Sequence, residues 1–547
     1  RVQQAAYSLI PDRQKQATHL KIGQLLQQNC SEIVRAARLF DIVGHLNVAK
    51  ELISDPSDRQ IIVDLNFKAG KKARNSTAYC AANIYLQTGI QLLAINCWET
   101  QYQLTLDLHI AAAEAAYLEG NLEGMEEIAS VVLRSARTIL DKVSIYRIQI
   151  AALTANGRGE EAIATGATVL SQLGFEFPTT PNEAQTVEAL EMLKSQLQGR
   201  RIEDLLNLPV MTVGASAPLE NIQAQLIILL LADLSAPTFN AMPTLMPLLS
   251  FKMVSLSLQF GNIPASAMGY VNYGFVLSAF FGDVETGYRF GKLAIALMDS
   301  LNTREFQGRI SFLFATWIQH RQDPIRSIVP TLKYAYTDSM ECGDLISVGY
   351  SIACYFNANL LCGVELHSLE AEISLHTIAL ERLKQYSAQA YLSMKRQVAL
   401  NLMAKGSNKE YLIGTAYDET VMIPQHHQDG EFIAVAFAYI YKLMLAYLFS
   451  NYQAALANIT QCEQYLKAVS GMISVSVFHF YAALTYLALA AEQSAQEQSA
   501  TLFQVEIHQA EIYKWAQETP MNYLHKWHLI EAQKQQILGN RAAAIEH

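Results

Sequence analysis

The chain has 547 residues, of which 51% are hydrophobic and 16% charged, with a formal net charge of −10. That length exceeds one compact domain and reads as three or four domains or one long repeat array. The acidic balance argues against a nucleic-acid partner, which needs a basic face, and the sparse charge means that much of the chain is buried or faces partners.

In chain order, residues 1–53 form a first helical block. It opens at RVQQAAYSLIP without an initiator Met, so the sequence reads as a piece of a longer chain, and no signal peptide is visible. Pro11 suits the first turn of a helix that starts there, and LISDPSDRQ (52–60) is a turn that closes the block. Residues 54–206 form an N-terminal set of helical repeats, interrupted by the Pro/Thr-rich LGFEFPTTPNEAQ (173–185). Residues 207–547 form a C-terminal set, which begins after a second break at LPVMTVGASAP (208–218). Between 205 and 282 the only charged residues are Glu220, Asp233 and Lys252. Six prolines and several glycines divide this stretch, so membrane insertion is not expected. It reads as buried helices with prolines at their ends, or as an exposed apolar docking face. ALAAEQSAQEQSA (488–500) reads as a helix end plus an exposed loop, and LGNRAAAIEH stops inside a helix pair.

A pattern recurs at five breaks: Gly120, Gly157, Gly282, Ser450 and Gly539. Two residues earlier stand Leu118, Ala155, Phe280, Leu448 and Ile537; the next residue is Asn121, Arg158, Asp283, Asn451 or Asn540. Five positions on come Met125, Ala162, Gly287, Ala455 and Ala544. The first four continue with Ala129, Gly166, Gly291 and Ile459, then Val132, Val169, Ala294 and Cys462, then Ala136, Leu173, Met298 and Leu466. Steps of 4, 3 and 4 trace one helix face. Glycine suits a left-handed C-cap and Asn or Asp a following N-cap. Each unit is therefore predicted to be a tight antiparallel helix pair. The turns lie 37, 125, 168 and 89 residues apart, near multiples of ~40. The predicted fold is all-α, an α-solenoid of tetratricopeptide-like pairs forming a superhelix with a concave groove.

Chemistry-bearing patterns are scarce. There is no Walker-type phosphate loop, H-E-x-x-H, G-x-S-x-G or kinase signature. Seven scattered cysteines with no C-x-x-C read as reduced, mostly buried thiols. His426 and His427, with Asp429 near, read as a solvated loop rather than a metal site, because adjacent residues point apart. Cys342 stands among Glu341 and Asp344, and acidic neighbours disfavour the thiolate, so it is not a nucleophile. Trp317, His320, Arg321, Tyr334 and Tyr336 are the candidate groove residues; these aromatics, with Tyr350 and Tyr355, read as core and groove lining, and a groove aromatic can anchor a peptide. No catalytic residue, cofactor ligand or metal ligand is assigned.

RVQQAAYSLIP, HLKIGQLL and LFDIVGHLN resemble the helical region that follows a STAND/AAA-type ATPase in very large bacterial signalling kinases. AGKKARNSTAYCAANIYLQTGIQLL, AEAAYLEGNLEGME and LDKVSIYRIQIAALTANGRGEEAIATGATVLSQLG resemble the tetratricopeptide-like segment that comes next. YVNYGFVLSAFFGDVETGYRFGKLAIALMDSLN and HRQDPIRSIVPTLKYAYTDSMECGDLISVGYSIACYF resemble its later half. In that family a Ser/Thr-kinase-like domain precedes the ATPase, and a GAF sensor and histidine-kinase core follow the repeat. The resemblance implies a cytoplasmic regulatory repeat that couples the ATPase switch to sensor-kinase output, with other domains of its own chain or a peptide as partner. ATP and Mg²⁺ are implied for the parent chain alone. The rival readings are a stand-alone scaffold or adaptor for a peptide or protein, and an enzyme built on an α-solenoid, which would need a convergent polar pocket.

Overall fold

The computed structural model describes residues 11–178, 180–214, 216–403 and 409–547; the RVQQAAYSLI phrase lies outside them. The chain divides into two compact units, Arg1–Ala152 and Leu153–His547. The described residues are helical, with two isolated β-bridges, Val210 with Asn262 and Ile413 with Asp418, and no strand.

The first unit runs α1 (Asp12–Asn29), α2 (Glu32–Ala37), α3 (Leu39–Val48), α4 (Pro56–Asn75), α5 (Tyr79–Leu92), α6 (Cys97–Thr100), α7 (Tyr102–Glu119) and α8 (Leu122–Ser135), and α9 (Ile139–Ala155) crosses the division. Its core joins Ile42, Leu46, Ile62, Leu86, Leu108 and Met125. Pro11 is the N-cap of α1 rather than its first-turn residue. The stretch after Leu52 is a short turn, because Asp55 caps α4 through Ser57 N and Pro56 opens that helix.

The second unit continues with α10 (Gly159–Gln172), α11 (Glu183–Leu197), α12 (Leu219–Ala241), α13 (Met246–Phe260), α14 (Ser266–Phe280), α15 (Val284–Leu301), α16 (Gln307–Leu313), α17 (Ile328–Cys342) and α18 (Leu345–Leu361). Then come α19 (Leu366–Arg382), α20 (Tyr386–Leu402), α21 (Glu419–Gln428), α22 (Phe432–Leu448), α23 (Tyr452–Glu463), α24 (Ile473–Ala490), α25 (Ala495–Glu518), α26 (Pro520–Ile537) and α27 (Arg541–Glu546). Most helices adjacent in sequence pack as hairpins, whereas α10 packs on α12 and α11 on α13, and α18, α20, α22, α24 and α26 also pack each on the next in that series.

The aligned turns have a common geometry. Gly120, Gly157, Gly282, Ser450 and Gly539 are left-handed, with φ of 84°, 73°, 72°, 62° and 80°. Asn121, Asp283 and Asn451 then cap the next helix, each accepting a backbone N–H three residues on. The small-residue ladder is the buried face: Ala129, Val132, Ala162, Val169, Ala294, Ala455, Ile459 and Cys462 are fully buried. At α14–α15 the backbones themselves meet. A Cβ on Gly287 would lie 2.5 Å from the Gly274 carbonyl oxygen and 2.1 Å from Ser278 Oγ.

Several sequence expectations need correction. Pro237 lies inside α12 and does not end it. As a result α12, like α24, is long and apolar enough to cross a membrane by length and composition, although 56% and 67% of their most apolar stretches are buried in the protein. The low-charge block is mainly core: every residue from Ser266 to Ser278 is buried. The 488–500 stretch is no long loop, since Ser494 and Glu497 form a capping box that starts α25. His426 and His427 lie on α21, capped by Asp418, rather than in a loop. The cysteines are free thiols, but Cys97 and Cys462 alone are fully buried, and Cys80 and Cys342 are exposed.

Gly287→Ala is expected to destabilise the second unit by about 2–3 kcal/mol, the upper range for overpacking. Gly282 has open space around it, so Gly282→Ala meets only its left-handed backbone and costs nearer to about 1 kcal/mol. Urea unfolding of the two variants checks this order; equal losses would refute the backbone contact.

Candidate functional site

An open cleft of about 520 Å³ lies in the second unit. Local sequence explains each wall. Asn182 and Gln185 form a capping box that starts α11. Leu190 and Leu193 bury one side of that helix, which leaves Glu191, Lys194 and Ser195 lining the cleft. Gly199, with φ of 78°, turns the chain out of α11 and presents Arg200 and Arg201. The following 3-10 turn, Ile202–Asn207, is fixed where Asn262 Nδ2 donates to the Leu205 carbonyl at 2.9 Å, with Tyr270 donating to Asn262 Oδ1 at 2.8 Å. Arg289 on α15 then grips Glu203 with two hydrogen bonds of 2.9 Å. Tyr273 and Leu277 of α14 and Phe290 of α15 supply the apolar part of the lining, and Asp283 and Thr286 the start of α15. Burial, with the Asp283 and Glu191 charges, pushes the Tyr273 hydroxyl up to about 12, so it is a neutral donor at physiological pH.

The residues singled out in the sequence are elsewhere. Trp317 is buried in a short π-helical stretch, Phe314–Ile318, with its ring 5.0 Å from Phe239, 5.6 Å from Phe275 and 5.3 Å from Phe312. Its Nε1 has no hydrogen-bond partner among the described residues. His320 is buried, and that burial, with Arg321 beside it, lowers its pKa to about 3. His320 and Arg321 line a pocket of only about 40 Å³ with Trp515, Glu518 and Tyr523. Their segment is fastened to α26: Asn522 donates to the His320 and Asp323 carbonyls at 3.0 and 2.9 Å and accepts from Ile325 N at 3.0 Å. Tyr334 is exposed, and Tyr336 meets the His376 ring edge-on at 5.3 Å. Thus the structure joins His320 and Arg321 in one small pocket, and the five residues do not line the large cleft.

The acidic cluster around Cys342 is structural. Buried Asp338 accepts from Arg304 at 3.0 and 2.7 Å and from Gly308 N at 2.9 Å. Arg304 also holds Glu341 at 2.7 Å. Burial alone would raise Asp344, but Arg309 at 2.8 Å outweighs it and keeps the carboxyl low. The Cys342 thiol is raised by burial and by Asp338. Among the described residues, no group of three or more His, Cys, Asp or Glu is placed to hold a metal.

Sequence reasoning missed the buried polar centre on α20. Lys395 is 1% exposed. Its Nζ donates to the Tyr391 carbonyl at 3.2 Å and lies 4.9 Å from the Phe437 ring centroid. Burial lowers its pKa to about 8. Nearby, Glu431 accepts from Ser387 Oγ and from Tyr391 OH at 3.1 Å, and Tyr350 OH accepts from Asn240 Nδ2 at 3.1 Å. A second missed group pairs His479 and His508, Nδ1 to Nδ1 at 3.0 Å. Burial lowers them to about 3 and about 4, with His508 adding to the shift at His479.

Comparison with known proteins gives one distant relative. The chain is 24% identical over 446 residues, 74% of its length, to the hybrid signal transduction histidine kinase G of Dictyostelium discoideum. The chain spans only 12% of that protein's length. No protein-family model matches the chain. The kinship supports a role in signal transduction.

Two pH effects follow. The unfolded histidines bind protons near pH 6.5 and the folded pair only near 3 to 4. Their contribution is therefore full above pH 6.5 and is lost as pH falls towards 4. His479→Gln/His508→Gln is expected to flatten the fall in melting temperature between pH 7 and 4.5; an unchanged slope would refute it. Lys395 shifts in the same direction, in a window above neutrality. Its folded pKa lies below the unfolded value, so the buried charge weakens the fold below about pH 8 and this penalty fades up to about pH 10.5. Lys395→Met is expected to raise neutral-pH stability by roughly 1–3 kcal/mol, with the gain shrinking at alkaline pH.

Proposed function

We propose that the chain is the regulatory, protein-interacting helical-repeat region of a signal-transduction kinase. It is read as an α-solenoid of tetratricopeptide-like hairpins that couples an upstream STAND-type ATPase switch to downstream sensor-kinase output. The observation that carries this reading is the kinase relative: the match fills 74% of this chain yet occupies 12% of that signalling protein. The left-handed turns, their Asn and Asp caps and the buried small-residue ladder support the repeat reading. Hairpins that pack chiefly on their neighbours can change curvature at low cost, and a partner that prefers one curvature shifts the balance.

In this reading the region performs no chemistry of its own. ATP and Mg²⁺ belong to other domains of the parent chain, the partners are those domains or a peptide, and the site of action is the cytoplasm. The test is a pull-down with the chain as bait against separately expressed upstream and downstream segments of its native reading frame. Retention of an ATPase or kinase segment is expected. Retention of neither, with capture of an unrelated protein instead, would overturn the coupling role and favour a free adaptor.

A further inference from the structure

The pocket of about 40 Å³ lined by His320 and Arg321 lies where three parts of the second unit meet: the 319–325 segment, the turn at Gly471 that precedes α24, and the junction of α25 with α26. On one side the joint is made by direct bonds. Asn522 donates to the His320 and Asp323 carbonyls, and Thr519 Oγ1 donates to the Arg321 carbonyl.

Towards the pocket the polar groups do not meet one another. His320 is 3% exposed. One nitrogen of its ring donates to the Ala315 carbonyl, and the other, Nδ1, has no hydrogen-bond partner among the described residues. With the proton on Nε2, Nδ1 is a lone-pair acceptor. Arg321 faces Glu518 across 3.8 Å, although the two side chains are only 14% and 25% exposed. That gap is too long for a direct hydrogen bond and leaves both ends open to a shared water.

The chemistry selects the occupant. The lining offers acceptors at His320 Nδ1 and Glu518 and a donor at Arg321. A cation there would face the guanidinium, and an anion would face the carboxylate and the imidazole lone pair. A neutral group that both donates and accepts satisfies all three. Size narrows the choice further, because about 40 Å³ at roughly 10–15 Å³ per molecule is room for about three waters.

We propose that this pocket is a built hydration site that holds about three ordered waters, one donating to His320 Nδ1 and one shared by Arg321 and Glu518. The joint between the 319–325 segment and α26 is then bonded directly on one side and through water on the other. Water-mediated contacts are nearly as favourable as direct ones and can re-form after a small displacement, so the wet side lets the joint shift while the Asn522 side keeps it in register. This inference stands apart from any coupling between an ATPase and a kinase.

A high-resolution crystal structure of the whole chain tests it. Ordered water is expected within about 2.7–3.2 Å of His320 Nδ1, with another in reach of both Arg321 and Glu518. No water at Nδ1, or a protein group bonded there instead, would overturn the proposal. The same crystals under xenon pressure give an independent reading, because dry apolar cavities take up xenon. No xenon is expected in this pocket, and xenon bound in it would overturn the proposal. In solution, Val475→Leu adds a methylene to the lining. It expels water from groups that need it, so the melting temperature is expected to fall by about 1–3 °C. A rise, the mark of a filled dry void, would overturn the proposal as well.

Discussion

The second unit depends on the place where α14 and α15 touch backbone to backbone, at Gly274 and Gly287. Two glycines remove the side chains that would otherwise hold the helices ~8–10 Å apart. The same approach continues at Gly291, where a Cβ would lie 2.6 Å from the Phe314 ring. Because α14 is so tightly enclosed, its residues have fixed positions, and Tyr273 and Leu277 become a rigid part of the cleft lining. The cleft is therefore a by-product of hairpin packing: the turn at Gly282 with its cap Asp283, and the register of α15 that brings in Thr286 and Phe290, set part of its lining.

The apolar character of α12 and α24 has the same origin. Helices enclosed by neighbours on most sides have little polar face left, and they pass a length-and-hydropathy test for membrane spans. Some of the polar groups that α12 and α14 carry are paired with each other: Asn272 donates to Ser235 Oγ at 2.9 Å. At Gly166 a Cβ would meet Leu234 at 2.5 Å, which shows α10 lying close on α12. Pro237 can sit within α12 because core packing on both sides outweighs the one backbone bond it cannot donate.

The hairpin turns were legible because their chemistry is local. Gly or Ser in a left-handed conformation, followed by an Asx cap, needs only three or four residues to specify. Gly343–Asp344 obeys the same rule, with φ of 76° and Asp344 accepting from Ser347 N at 3.2 Å; its motif was visible in ECGDLIS but its carboxylate has a double task, capping α18 and pairing with Arg309. The Ser494–Glu497 capping box was equally readable and was obscured by the polar composition around it. Thr77, Asn302 and Lys384 turn left-handed without glycine; Asn tolerates that region better than most residues, whereas Thr and Lys there have no local signature. The cleft was not legible at all. Residues 191–202 and 273–290 are far apart in sequence, and no periodicity encodes their meeting. Trp317, His320 and Arg321 were read as candidate groove residues, but Trp317 lies in a π-helical stretch and its ring joins an aromatic cluster that no 3.6-residue period predicts.

Most ties in the second unit join near neighbours, so its helices could adjust in small steps. The longest in sequence is the fastening of the 319–325 segment to α26, where Asn522 bonds to residues about two hundred positions earlier. Thr519 Oγ1 adds a bond to the Arg321 carbonyl, and Arg321 faces Glu518 at 3.8 Å. One asparagine thus satisfies two carbonyls and one N–H at a helix end, where buried backbone groups would otherwise lack partners. Any change in helix stacking between α16 and α26 must either preserve this three-bond lock or break it. A lock of this kind makes a two-position response more favourable than a continuous drift, because its bonds are made or lost together.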